Sequence, residues 1–119
     1  MGSSVSIEEN GSMAILDNGH KYLLTTIEGQ SQELVFYKSE KVHIMGYDGV
    51  ISQEVLRALI DRQHFMNNML SCEENKQIIF HLRMALAEFE RRHLRRLVEK
   101  NYPIEDIQTI QNAHLLPKG

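Results

Sequence analysis

Apolar and polar positions along this chain follow two successive rhythms. From Met13 to Met45 the alternation is short and strand-like, broken by turn chemistry. Met13 to Leu16 and Lys21 to Ile27 flank Asp17-Asn18-Gly19, whose Asn and Gly tolerate positive φ. Glu28-Gly29-Gln30-Ser31 is a second polar break. Glu33 to Lys38 (ELVFYK) is rich in strand-forming side chains, and Lys41 to Met45 alternates apolar and polar. The pattern predicts an N-terminal antiparallel β-meander of three or four strands over residues 13–45. Gly46-Tyr47-Asp48-Gly49 ends it.

Beyond that break the period becomes helical. Ser52 is expected to cap a first helix running to about Leu70, with Glu54 placed favourably for the helix dipole. Ser71-Cys72-Glu73-Glu74 reads as a capping box that opens a second helix. No breaker follows until Pro103, so Asn101 is the expected end. The expected fold is therefore α+β in a single domain, 1–119. A disordered head (1–12) and the sheet (13–45) precede a long antiparallel helical hairpin (50–102) and a tail (103–119).

Projected at about 100° per residue, Val55, Leu59, Met66 and Leu70 define the inward stripe of the first helix. Ile79, Leu82, Leu86, Phe89, His93 and Leu97 define that of the second, with Asn75 in phase. At about 1.5 Å per residue the helices measure roughly 28 and 42 Å, so the second overhangs the first. The overhang carries Leu94, Leu97 and Val98, apolar surface expected to meet another subunit, the sheet or the tail. A homo-oligomer is the preferred expectation.

Composition narrows the chemistry. The net charge is -3 and the pI about 6.0, so an anion must be caught by a local cluster rather than by bulk charge. Four of seven arginines supply one: Arg91, Arg92, Arg95 and Arg96. The lone Cys72 excludes an internal disulfide and fits a reducing cytosol. No apolar run approaches the roughly 20 residues of a membrane span, and the N-terminus lacks a signal-peptide h-region. The Met1-Gly2 start with Ser6 matches an acylation pattern only superficially, and no membrane partner is expected. No HExxH, CxxC, GxSxG or Gly-rich phosphate loop occurs, so neither a cofactor nor a catalytic group is expected.

What remains is a candidate binding constellation. Arg91 and Arg95 project opposite the apolar stripe and read as solvated. Arg92 and Arg96 lie on its flank, where guanidinium groups can fork onto a diphosphate. Phe65 projects more than about 100° from the stripe of the first helix. It either packs on the sheet or a second subunit, or offers a ring to a stacked base. Asn75 either caps the hairpin turn or reads a purine edge with its amide. RRHLRR as a plain charged face, His93 as a core histidine and Arg62 as a structural residue complete the alternatives.

Four short segments now align in order with a known pattern. They are Gly46-Tyr47-Asp48-Gly49-Val50, Leu59-Ile60-Asp61-Arg62, Cys72-Glu73-Glu74-Asn75, and Leu82 through Ala85 to the arginine-rich helix end. Together they resemble the helical hairpin of the phage anti-Thoeris sponge family (Thoeris anti-defence protein 1), which is shared with anti-CBASS cyclic-oligonucleotide sponges. The β segment from His20 to Met45 also looks like the anti-Thoeris members.

The resemblance implies a viral protein in the cytoplasm of an infected bacterial host. It would bind glycocyclic ADP-ribose and hold it away from its effector without degrading it. It further implies Phe65 stacking the adenine, Asn75 hydrogen-bonding it, and Arg92 and Arg96 on the phosphates. Two subunits would build each pocket in a dimer or hexamer, and some members also take cyclic di- or trinucleotides. No DNA partner is implied. The chain departs from the family at Glu73, where Arg is usual, and after Arg96, where Leu97-Val98-Glu99-Lys100 replaces a Gly-rich run. An enzyme cleaving the same signal, or a helical protein binding an acidic partner, is the competing expectation.

Overall fold

A computed structural model describes residues 11–40 and 45–100. Residues 1–10 of the expected head (1–12), the core of a fourth strand (41–44), and the helix end and tail (101–119) lie outside the described residues. The chain forms two compact units, Met1–Ser52 and Gln53–Gly119.

The first unit is a three-stranded antiparallel meander, β1 (Ala14–Asp17), β2 (Lys21–Thr25) and β3 (Ser31–Val35), in the order β1-β2-β3. Its turns form where the sequence places them. Gly19 (φ 82°) and Gly29 (φ 84°) adopt the left-handed backbone that side chains resist. The second turn closes before Ile27 can pair: Thr26 N–H donates to Gln30 O at 2.8 Å, and Thr25 already faces Ser31. So β2 is shorter than its apolar run. A bulge between Ile15 and Asp17 leaves Leu16 out of the ladder and half-exposed.

The ELVFYK run also divides differently from its propensity. β2 ends at Lys21, opposite Val35, so the residues after Val35 have no neighbouring strand. Phe36 N–H still donates to His20 O at 2.7 Å, and from there the chain runs beside the Gly46–Val50 segment. Phe36 forms a parallel bridge with Val50, and Lys38 an antiparallel bridge with Tyr47. This crossing explains the two glycines of GYDGV. A Cβ at Gly46 would lie 2.5 Å from Lys38 O, and one at Gly49 2.5 Å from the Phe36 carbonyl carbon. Backbone on backbone leaves no room for either.

One polar cluster ties this crossing to the meander. Asp17 accepts from Lys38 Nζ at 2.8 Å and from the Tyr47 hydroxyl. Lys21 and Lys38 ammonium groups stand 4.7 and 5.3 Å from the centroid of the Tyr47 ring. Lys38 first, and Tyr47 second, hold the Asp17 carboxyl at about 2, below the ordinary 3.8. Donation to Asp17 pushes the Tyr47 phenol from 10.0 up to about 12.

The cluster's contributions have opposite pH signs. The depressed acid stabilises the fold above pH 3.8 and loses that contribution as pH falls through about 2. The raised phenol stabilises below pH 10.0 and is lost as pH rises through about 12. Ultraviolet titration should therefore show one of the four tyrosines ionising later than the others, and Asp17→Asn should abolish the lag. Simultaneous ionisation of all four in the unaltered protein would contradict the cluster.

The second unit is a helical hairpin of α1 (Ser52–Met69) and α2 (Glu73–Glu99). Ser52 is the first helical residue rather than a cap before it. The preceding Val50 is fixed through both its N–H and its carbonyl, so the helix starts at once after Ile51. The α2 cap also shifts by one residue, from Ser71 to Cys72. Cys72 is extended (φ −151°, ψ 162°), and its Sγ accepts from Asn75 N–H at 3.4 Å. In a capping box an acidic side chain satisfies the cap's own N–H. Here Asn67 Oδ1 does so from α1, at 3.3 Å.

On α2 the expected stripe from Asn75 to Leu97 is the less exposed face throughout, with Ile79 and Leu97 buried. On α1 the expected stripe holds only at Val55, which is half-buried. Leu59 (43%), Met66 (40%) and Leu70 (78%) are exposed. Beside Ser52, Val55 and Arg57 in the first turns, the less exposed positions are Gln53, Leu56, Ile60, Gln63 and Asn67, a line rotated by roughly 90° from the expected centre. Amide side chains occupy this face near the turn because they bond across it. Gln63 Nε2 donates to Asn75 Oδ1 at 2.6 Å, and farther along Arg57 Nη2 donates to Glu90 Oε1 at 3.0 Å. The overhang argument also needs correction, since Leu97 is buried and Leu94 half-buried, with only Val98 exposed.

Candidate ligand-binding site

The four arginines near the end of α2 fall into two pairs by geometry. Arg91 Nη1 lies 2.8 Å from Glu88 Oε2, and Arg95 Nε lies 3.4 Å from Glu99 Oε1. These are exposed pairs at helical spacing, worth little to stability, yet they neutralise both guanidinium groups locally. Arg92 and Arg96 are also exposed, and among the described residues neither makes an ion pair. Being four residues apart, they share a helix face about 6 Å apart along the axis. Two unneutralised forks on one face suit an anion with several oxygens.

Phe65 is 60% exposed on α1. It points about 160° away from the helix face that carries Gln63 and Ile60 toward α2. No ring contact involves it among the described residues. The aromatic face is thus open.

Asn75 sits in the first turn of α2, half-buried. Its Nδ2 donates to Leu70 O at 3.1 Å and its Oδ1 accepts from Gln63. The turn-capping role weighed from sequence is therefore real. The two described roles are compatible, because an amide keeps a second N–H and a second lone pair.

These residues are not brought together within one chain. Seventeen residues separate Asn75 from Arg92 along α2, about 25 Å of helix. Phe65 and Asn75 lie near the same end of the hairpin, but Phe65 is on the opposite side of α1 from Gln63, Asn75's partner. Only Arg92 and Arg96 are neighbours. No protein-family model matches the chain, and no curated protein matches it.

Sequence reasoning missed Gln63 and Asn67 because only apolar positions were counted as inward. A signal was present: Leu56, Ile60, Gln63 and Asn67 recur at helical spacing, with the amides at the turn end. Glu90 was missed too. Its side chain is 5% exposed and held by Arg57, which also bonds Glu54 Oε2 at 2.9 Å. Among the described residues no group of His, Cys, Asp or Glu can hold a metal ion, and no helix is long and apolar enough to cross a membrane.

Proposed function

We propose that this protein is a phage sponge that sequesters glycocyclic ADP-ribose, a bacterial immune signal, in the cytoplasm of the infected host without degrading it. The observation that carries the reading is the division of the arginines. Arg91 and Arg95 are tied to glutamates, while Arg92 and Arg96 are exposed on one face with no ion pair among the described residues. An anionic diphosphate supplies what that face lacks, and the four-segment resemblance names the class of ligand. The open ring of Phe65 supports stacking of the adenine. Cyclic di- or trinucleotides carry the same chemistry and belong to the same proposal.

The separation of the residues makes the pocket a property of the homo-oligomer. Phe65 and Asn75 each meet the Arg92 and Arg96 of another copy, because about 25 Å of α2 divides Asn75 from the arginines and Phe65 faces away from Asn75 within one chain. Exposed Leu59, Met66 and Met69 on α1, with Leu70 just past its end, give each copy an apolar face to contribute. The proposed assembly is a dimer or a hexamer.

Phe65→Ala tests the reading. Calorimetric titration with glycocyclic ADP-ribose should show affinity falling about 10- to 100-fold, the worth of one stacked base, with unchanged oligomer mass. A purely electrostatic interaction protein predicts indifference to Phe65→Ala and a steep salt dependence instead.

A further inference from the structure

We propose that the outer face of α2 is a contact surface on which α2 of a second copy of this chain packs antiparallel. Phe80, Met84, Ala87, Arg91, Leu94 and Val98 follow one another at steps of four, three, four, three and four residues. That alternation is how a helix presents a straight seam to another helix. The seam is centred about 120° from the stripe that faces α1, so α2 carries a second stripe that the hairpin does not use. Phe80 (56%), Met84 (47%) and Val98 (57%) are exposed, as are Ala87 and Arg91, and Leu94 is half-buried. From Phe80 to Val98 the seam is about 27 Å long.

The make-up of the seam selects its occupant. In a parallel pair Arg91 would face its own counterpart, and two cations would share one layer. In an antiparallel pair centred at the level of Phe89, Arg91 falls opposite Ala87 of the second copy, the smallest side chain of the seam. Met84 then falls opposite Leu94 of the second copy, and Phe80 opposite Val98. Glu88 borders the seam and holds Arg91 at 2.8 Å. The two-fold axis therefore gathers two Arg91 and two Glu88 side chains, whose charges cancel. A surface that matches itself in size and in charge about a two-fold axis makes an isologous contact.

Arg92 and Arg96 project more than about 100° from the centre of the seam. The contact thus leaves the capture face free and stands apart from the capture reading. Replacing Arg91 by alanine only makes its layer more apolar and keeps the contact.

Sedimentation equilibrium on the full-length protein and three variants tests the proposal. Met84 and Arg91 are exposed, so circular dichroism should show the helix content unchanged in each variant. Met84→Glu sets a charge against Leu94 of the second copy and should lower the assembled mass by about half or more. Arg91→Glu gathers four carboxylates at the axis and should do the same. The exchange of Glu88→Arg with Arg91→Glu restores the balance of charge and should recover the assembly. A monomeric unaltered protein overturns the proposal. So does a mass that neither single variant lowers, and a reduced urea midpoint beside it would show that a segment of the same chain covers the seam. Failure of the exchange to recover the mass overturns the antiparallel arrangement.

Discussion

Replacing Arg92 and Arg96 together by alanine should abolish capture of the signal, while the same change at Arg91 and Arg95 should leave it nearly intact. All four are exposed arginines within six residues of one helix, so bulk charge is lowered equally in both variants. What differs is the partner. Arg91 and Arg95 give up exposed pairs with Glu88 and Glu99, worth no more than about 1 kcal/mol each. On the proposed function, Arg92 and Arg96 give up charge-assisted bonds to the ligand, at about 1.5–3 kcal/mol each. The sum lowers affinity by about 10²–10⁴-fold. Calorimetry on the two double variants, with oligomer mass measured in parallel, checks this. Equal losses in both would show that the face binds by charge density alone.

The second large effect concerns stability. Glu90→Ala should destabilise the hairpin by about 2–4 kcal/mol, read as a lower urea midpoint. Removing one partner of a buried pair leaves the other charge uncompensated. Arg57 is softened against this by its second bond to Glu54 and by partial exposure, which keeps the cost below the upper end of the usual range. The pair is not well satisfied to begin with, since Glu90 Oε2 is buried without a hydrogen-bond partner among the described residues. The double change Arg57→Met with Glu90→Leu should therefore be near neutral or stabilising. A double variant as unstable as Glu90→Ala would show that the pair contributes more than its geometry suggests.

Much of the fold was legible because local chemistry and tertiary structure agree. The turn glycines, the change of period after Gly49 and the in-phase stripe of α2 each led to the observed element. The failures share a cause, which is that partners decide what propensity leaves open. ELVFYK leaves the sheet after Val35 because the chain before Lys21 turns away after one more bond, from Phe36 N–H to His20 O, and the run bridges Val50 and Tyr47 instead. The α2 cap moves from Ser71 to Cys72 because Asn67, on the other helix, already satisfies the Cys72 N–H. The α1 stripe was misplaced because Gln63 and Asn67 are polar yet inward, held by bonds across the turn.

The candidate site was legible to the same extent. Helical projection alone separated Arg92 and Arg96 from Arg91 and Arg95, and it set Phe65 off the packed face. It could not show that Glu88 and Glu99 hold Arg91 and Arg95, since rotamers settle that. Nor did it weigh the length of α2 between Asn75 and Arg92, which makes the assembled pocket intermolecular in the proposed function.

Capture without conversion is the central claim, and release of the ligand tests it most directly. Glycocyclic ADP-ribose is incubated with an equal amount of protein sites, the protein is heat-denatured, and the supernatant is separated by chromatography. The account predicts that the free signal disappears on incubation and returns intact and in full on denaturation. Recovery of a hydrolysed product, growing with time at substoichiometric protein, would contradict it.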